Sequence, residues 1–346
     1  MATEGMEQEL LQVVKMLEMT QKRLQALEQS NQILIKSNQQ LIEWLRDTIE
    51  EFEDYKENVR YELFDERAME DKEWYPVILS EDITIEKIIN EKKSLARFGD
   101  GEFATIMGRV RHKFQTDINT SLQTHLKEVL ESEEENLLIG IADNYGNLDR
   151  YNEQAKREIR RYLKREVRKE HLTLLKQDKI YYNAYVTRPY VMYVDNMTDM
   201  PKVRFENLKR IWDGRECIIV EGKLTRTGIG NDLLDNAKTV RRIIGPVENA
   251  YSAYESILQA CLNQDKDKLF LLALGPTATV LAYELCRRGY QAVDIGHIDL
   301  EYEWFLRGEG RRTAVPGKYN NEVEGGEFPQ AVDDEIYLSQ ILEVQY

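Results

Sequence analysis

Leu269-Phe-Leu-Leu-Ala-Leu274, followed at once by Gly275-Pro276-Thr277-Ala278-Thr279, and Gln291-Ala-Val-Asp-Ile295, followed by Gly296-His297, decide the reading of the fold. Each is a short, unbroken apolar run that stops at a glycine, the pattern of a strand buried on both faces. Glu216-Cys-Ile-Ile-Val220 and Thr239-Val-Arg-Arg-Ile-Ile244 repeat it upstream, and the segments between the runs carry helical periodicity. Strand, loop and helix in alternation define an α/β fold, a parallel sheet covered by helices on both faces. Ligands of such sheets sit outside the carboxyl ends of the strands, so the residues after each run are the candidates for function.

Nearer the N-terminus the same alternation continues with strands at Ser94–Phe98, Asn136–Ile141 and Tyr181–Val186. Ser80 caps a helix through Asn90, and further helices are expected near Gly101–Met107 and Ser121–Ser132. One long basic, amphipathic helix is expected over Tyr151–Lys169.

Residues before this region follow a different period. With Leu10 as heptad position a, the a sites read Leu10, Leu17, Leu24, Asn31, Asn38, Leu45, Phe52 and Val59, and the d sites Val13, Thr20, Leu27, Leu34, Leu41, Thr48 and Tyr55. Neither Pro nor Gly interrupts the chain between Met6 and Leu63. A narrow apolar seam of this kind predicts a long coiled-coil helix that must share its stripe with a partner. Buried amides at Asn31 and Asn38 lose least when each faces its own copy, which selects a parallel homodimer through residues 10–59. The chain is thus expected to divide into a coiled-coil dimerisation helix (1–64), a hinge (65–79) and the α/β domain (80–346).

Composition narrows the function. Across 346 residues, 47 Lys and Arg oppose 62 Asp and Glu, a net charge of −15. An acidic total argues against nucleic acid as a partner. Three cysteines (Cys217, Cys261 and Cys286) without a CxxC pair signal neither a disulfide framework nor a zinc site. No signal peptide and no apolar stretch long enough to span a membrane are apparent, so a cytoplasmic location is expected.

Four motifs follow strands. Gly99-Asp100-Gly101-Glu102 sets two carboxylates around a glycine, a donor pair suited to Mn²⁺ or Mg²⁺, although Asp100 and Glu102 equally suit the start of a helix. Glu221-Gly-Lys-Leu-Thr-Arg226-Thr-Gly228-Ile-Gly230-Asn231-Asp232 has glycines that let backbone N–H groups approach an anion, yet it matches neither GxxxxGK[ST] nor GxGxxG. Gly275-Pro276-Thr277 opens a helix with a hydroxyl that could hold a sugar or phosphate, or simply cap. Gly296-His297-Ile298-Asp299-Leu300-Glu301-Tyr302-Glu303 gathers one histidine and three carboxylates at a strand end, groups able to move a proton or contact a phosphate. No G-x-S-x-G elbow is present, which removes the common acyl-transfer arrangement.

Taken together, Arg97-Phe-Gly-Asp-Gly-Glu102, Thr187-Arg188-Pro-Tyr190, Glu221 to Asp232, Ala273-Leu-Gly-Pro-Thr-Ala278 and Asp294 to Trp304 resemble the bacterial GT-D-type glycosyltransferase family, first defined as a domain of unknown function. The resemblance spans about Ser80 to Glu322 and leaves out the coiled coil. It implies a Rossmann-like domain that moves a sugar, typically glucose, from a UDP-sugar donor to a glycan acceptor on a glycoprotein, lipid-linked oligosaccharide or cell-surface polysaccharide precursor. It further implies a DxE metal site at Asp100 and Glu102 for Mn²⁺ or Mg²⁺, and catalytic roles at His297, Asp299 and Glu303, with Glu303 the general base of an inverting displacement. Donor contacts would come from Arg97, Arg188, Arg226, Gly228, Gly230, Asn231 and Thr277. Two alternatives stand beside transfer: a nucleotide-sugar hydrolase, and a non-catalytic coiled-coil scaffold whose α/β domain senses a nucleotide sugar.

Overall fold

The computed structural model describes residues 2–70, 74–110, 115–329 and 334–346. The chain divides into two units, Met1–Asp65 and Glu66–Tyr346.

In the first unit the heptad stretch lies within a single helix, Ala2–Glu70. Its seam faces solvent in this single chain: Leu17, Leu24, Leu27, Leu34 and Phe52 are all more than half exposed. Thr20 and Thr48, the polar d sites, turn their hydroxyls back to Met16 O and Trp44 O at 2.7 and 2.8 Å. Each thereby satisfies itself locally.

The second unit is built on nine strands, β1 (Val77–Leu79), β2 (Ser94–Phe98), β3 (Leu137–Ile141), β4 (Ile180–Asn183), β5 (Glu216–Gly222), β6 (Thr239–Gly245), β7 (Leu269–Ala273), β8 (Gln291–Asp294) and β9 (Ile341–Val344). They form one sheet in the order β1-β4-β3-β2-β8-β7-β5-β6-β9, and every pairing is parallel. The seven expected strands are all present. The sequence reading missed the two edges, each three or four residues long and without an extended apolar run. Val77–Leu79, expected as the end of a hinge, pairs with Ile180–Tyr182.

Two local expectations need correction. The helix expected over Tyr151–Lys169 is two helices, Glu153–Tyr162 and Arg165–Leu174. Leu163, almost fully buried, leaves helical geometry between them, so its packing overrides a favourable local propensity. The strand expected to reach Val186 stops at Asn183, whose side chain accepts from Tyr185 N at 2.9 Å and starts a tight turn over Ala184–Thr187.

Both faces of the sheet are covered. The helix Pro276–Arg287 packs on β2, β7 and β8, and its residues from Pro276 to Cys286 are buried. A core cluster joins Leu95, Ile219, Leu271 and Val293 of the strands to Phe205 and Trp304 of surrounding helices and to Trp212 of the turn after the helix Met200–Lys209. All three cysteines are buried free thiols. Among the described residues, no helix is long and apolar enough to cross a membrane.

Chain order places the functional end of this sheet. From β2 the chain moves to β3 and β4 on one side, while β8, the neighbour on the other side, comes from the far half of the sequence. Order reverses there, so the loops after β2 and β8 diverge and leave a crevice at their carboxyl ends.

Candidate active site

A cavity of about 610 Å³ fills that crevice. Its floor is laced together by Arg97, the penultimate residue of β2. Arg97 Nε donates to Asp294 O at 3.0 Å, Nη2 to Asp294 Oδ1 at 2.8 Å, and Nη1 to Ala184 O at 3.3 Å. One guanidinium thereby ties the ends of β2 and β8 to the turn after β4. Gly296 makes this possible, because its φ of +48° is left-handed and a Cβ there would overlap the guanidinium.

β2 then runs into the helix Asp100–Ile106 with Gly99 at its N-cap. Glu102 Oε2 accepts from Gly99 N at 2.8 Å, and Asp100 Oδ1 accepts from Gly101 N at 3.0 Å. The capping role and the cavity role coexist, since Asp100, Glu102 and Asp294 all line the cavity. Burial raises the pKa of Glu102, and the neighbouring Asp294 adds to it; burial likewise raises Asp294 against the pull of Arg97. Carboxylate oxygens at a half-buried helix start that share one cavity are hard donors of the kind a divalent cation takes. Among the described residues no group of three or more His, Cys, Asp or Glu is arranged to hold an ion, so other ligands would be phosphate oxygens and water.

The facing wall centres on Arg188, which follows the turn after β4. Its Nη1 donates to Glu322 Oε2 at 3.1 Å, its Nη2 contacts Glu322 Oε1 and donates to His297 Nδ1 at 2.8 Å. The same Nδ1 lies 3.4 Å from Glu322 Oε1, so this nitrogen faces both the guanidinium and the carboxylate. Burial opposes charge on Glu322, yet Arg188, His297 and Arg312 hold its carboxyl well below the usual range. Behind them Glu301 accepts from the N–H groups of Tyr190 and Val191 at 3.1 and 3.0 Å, which commits it to positioning that segment.

A third group stands on the helix Ile298–Arg307. Asp299 Oδ1 accepts from Gly228 N and Asn231 Nδ2, both at 2.9 Å, and Glu303 Oε1 accepts from the same Asn231 amide at 2.7 Å. Lys318 Nζ reaches both, at 2.6 Å from Asp299 Oδ2 and 3.1 Å from Glu303 Oε1. Gly228, at φ +74°, is needed because any Cβ would collide with Leu234.

Of the residues singled out in the sequence, Arg97, Asp100, Glu102, Arg188, His297 and Asp299 line one cavity. Gly228, Asn231 and Glu303 stand behind Asp299. Arg226 is buried with its guanidinium on Gly317 O, and Thr277 is buried beside the lining residues Gly275 and Pro276. Gly230, also left-handed, has open space where a Cβ would be.

Sequence reasoning missed an aromatic wall and a late loop. Phe103, Tyr145, Tyr162 and His171 line one side. The His171 ring stacks on Phe103 at 3.9 Å between centroids, with Tyr145 and Tyr162 hydroxyls 2.7 and 3.0 Å from its two nitrogens. Burial, helped by Arg109, lowers its pKa to about 3, so the ring is neutral. Arg312, Tyr319, Asn321 and Glu322 come from a loop with neither strand nor helix period, whose one visible signal is the Pro316-Gly317 turn.

An open, all-parallel sheet with a cavity at its topological switch, lined by carboxylates and guanidinium groups, defines an α/β protein whose polar ligand site lies at the carboxyl ends of its strands. The chain belongs to the GT-D-fold glycosyltransferase family, whose model matches residues 95–323. It is 36% identical over 266 residues to the Streptococcus gordonii protein named "Probable glycosyl transferase Gly", covering 77% of this chain and 38% of that protein. It is 35% identical over 267 residues to "Glycosyltransferase GlyD" of Streptococcus pneumoniae serotype 4, covering 75% of this chain and 31% of that one. The chain therefore spans about a third of the length of these relatives. Among solved structures it superposes with a TM-score of 0.73 and 34% identity on a glycosyltransferase (DUF1792) from Streptococcus sanguinis, over 78% of this chain and 99% of that one. A second structure, described as domain of unknown function 1792 with a distinct glycosyltransferase fold, gives 0.71 and 32%, over 78% and 95%.

Proposed function

We propose that this chain transfers a sugar, glucose first among candidates, from a UDP-sugar to a hydroxyl of a glycan acceptor on a glycoprotein or cell-surface polysaccharide precursor, in the cytoplasm and with inversion. The observation that carries the reading is the meeting of Asp100 and Glu102 with Arg97, Arg188, His297 and Asp299 around one cavity at the ends of β2 and β8.

Breaking an anomeric C–O bond leaves negative charge on a diphosphate. A Mn²⁺ or Mg²⁺ ion held by Asp100 and Glu102 would supply charge stabilisation there when bound. Arg188, fixed by Glu322 and turned to His297, adds a preorganised cation on the opposite wall, and the His297 imidazole stands beside it to contact a phosphate or leaving oxygen. Gly228 N–H and the Asn231 amide act on the site through Asp299, which they hold. The acceptor hydroxyl needs a base, and the pair Asp299 and Glu303 supplies it: Asp299 lines the cavity, and Glu303 is coupled to it through Asn231 and Lys318.

The test is Asp100→Asn in the full chain, with a panel of UDP-sugars and MnCl₂. The unaltered chain is expected to melt higher with its donor and Mn²⁺ together than with either alone. The variant should keep its own melting temperature, lose that increment, and lose turnover by about 100-fold or more. Turnover close to that of the unaltered chain removes Asp100 from the site. Sugar release that an acceptor does not alter marks hydrolysis instead.

A further inference from the structure

Lys318 follows the Pro316-Gly317 turn, its backbone N–H bonded to Val315 O at 3.1 Å, and its side chain is only 4% exposed. Burying an ammonium is costly, and replacing a buried ion pair by apolar groups often leaves stability unchanged or improved. A lysine buried between two carboxylates at a cavity edge is therefore better explained by what it does for those carboxylates than by stability. Asp299 and Glu303 are four residues apart on one helical face, where two like charges repel one another unless a cation stands between them.

We infer that Lys318 is a positioning residue of the transfer reaction: its single ammonium, 2.6 Å from Asp299 and 3.1 Å from Glu303, fixes the two carboxylates side by side and keeps the pair ready to accept the acceptor's proton. This rests on the proposed transfer site. In the step, the acceptor hydroxyl gives its proton to a carboxylate oxygen of the pair while its oxygen bonds to the anomeric carbon. The diphosphate leaves with the electrons of the broken C–O bond.

The surroundings of the pair are defined on each side. On its own helix Arg307 lies 3.3 Å from Glu303 Oε2. From the loop after β5 come Gly228 N–H and the Asn231 amide, while Arg226 is directed at Gly317 O and Asp232 at Lys209 and Tyr302. Lys318 is thus the cation shared by both carboxylates.

The experiment measures UDP release from UDP-glucose with MnCl₂ by the full chain, from about pH 5 to about pH 9, for Lys318→Met and Lys318→Arg. For Lys318→Met, kcat should fall by about 10- to 100-fold with KM for UDP-glucose nearly unchanged, and the acid limb of kcat should move up by about one pH unit. Lys318→Arg should recover much of kcat and the original limb. If the methionine variant does not fold, Lys318→Gln takes its place. Folded variants with unaltered kcat and pH limb, or a loss that tracks only the folded fraction, overturn the inference. Asp100→Asn separates the two levels: its full activity would sink the transfer site itself, whereas its inactivity beside normal Lys318 variants would sink the role of Lys318 alone.

Discussion

His171 illustrates how a single buried side chain makes the cavity wall sensitive to acid. Its ring is neutral in the fold, with a pKa lowered to about 3, but titrates near its ordinary value of 6.5 once unfolded. Below that value the unfolded chain binds a proton that the folded one refuses, so this group's contribution is fully present above pH 6.5 and is lost as pH falls towards 3. Thermal melts should therefore show a falling melting temperature over that window, with a shallower slope in His171→Phe. The same variant should be less stable at neutral pH, because the buried Tyr145 hydroxyl loses its partner at about 1–3 kcal/mol. An unchanged slope would locate the acid sensitivity elsewhere. Nothing in the sequence marked His171, which occurs in a run of charged residues; its neutrality is set by Phe103 and two tyrosines from distant positions.

At the scale of elements, the reading succeeded where periodicity is strong and failed where packing decides. Apolar runs such as Leu269–Ala273 became central strands because nothing else buries them on both sides. Edge strands β1 and β9 lacked that signature, since an edge needs little apolar surface and depends on its neighbour for pairing. The break at Leu163 has the same cause, as one buried leucine outweighs a continuous helical pattern around it. The N-terminal helix carries its own prediction. Asn31 and Asn38 sit among the exposed leucines of the heptad seam. Replacing both by Leu should raise the melting temperature of the coiled coil while admitting species larger than a dimer in sedimentation. A unique dimer in that double variant would mean the asparagines do not set partner number.

For the whole molecule, if the N-terminal helix pairs with its own copy and the α/β domain acts on a polymer, two active sites would meet one acceptor, raising the local concentration of ends to be extended. Deleting residues 1–64 should leave turnover on a small acceptor within about twofold and lower it on a polymer by about tenfold or more. Equal loss on both acceptors would show that the helix serves the α/β domain directly. The order of apolar runs and glycines was enough, by itself, to determine a parallel sheet with its site at the carboxyl ends, because burial of both faces and strand direction are local consequences of pattern. The heptad likewise announced its helix. The tertiary structure alone decided that β2 and β8 are neighbours, that Glu322 and Lys318 return from a patternless loop to clamp Arg188 and the Asp299–Glu303 pair, and that Asp299 rather than Glu303 lines the cavity. Those facts depend on which distant segments meet and on where packing turns each side chain, and no spacing along the chain encodes either.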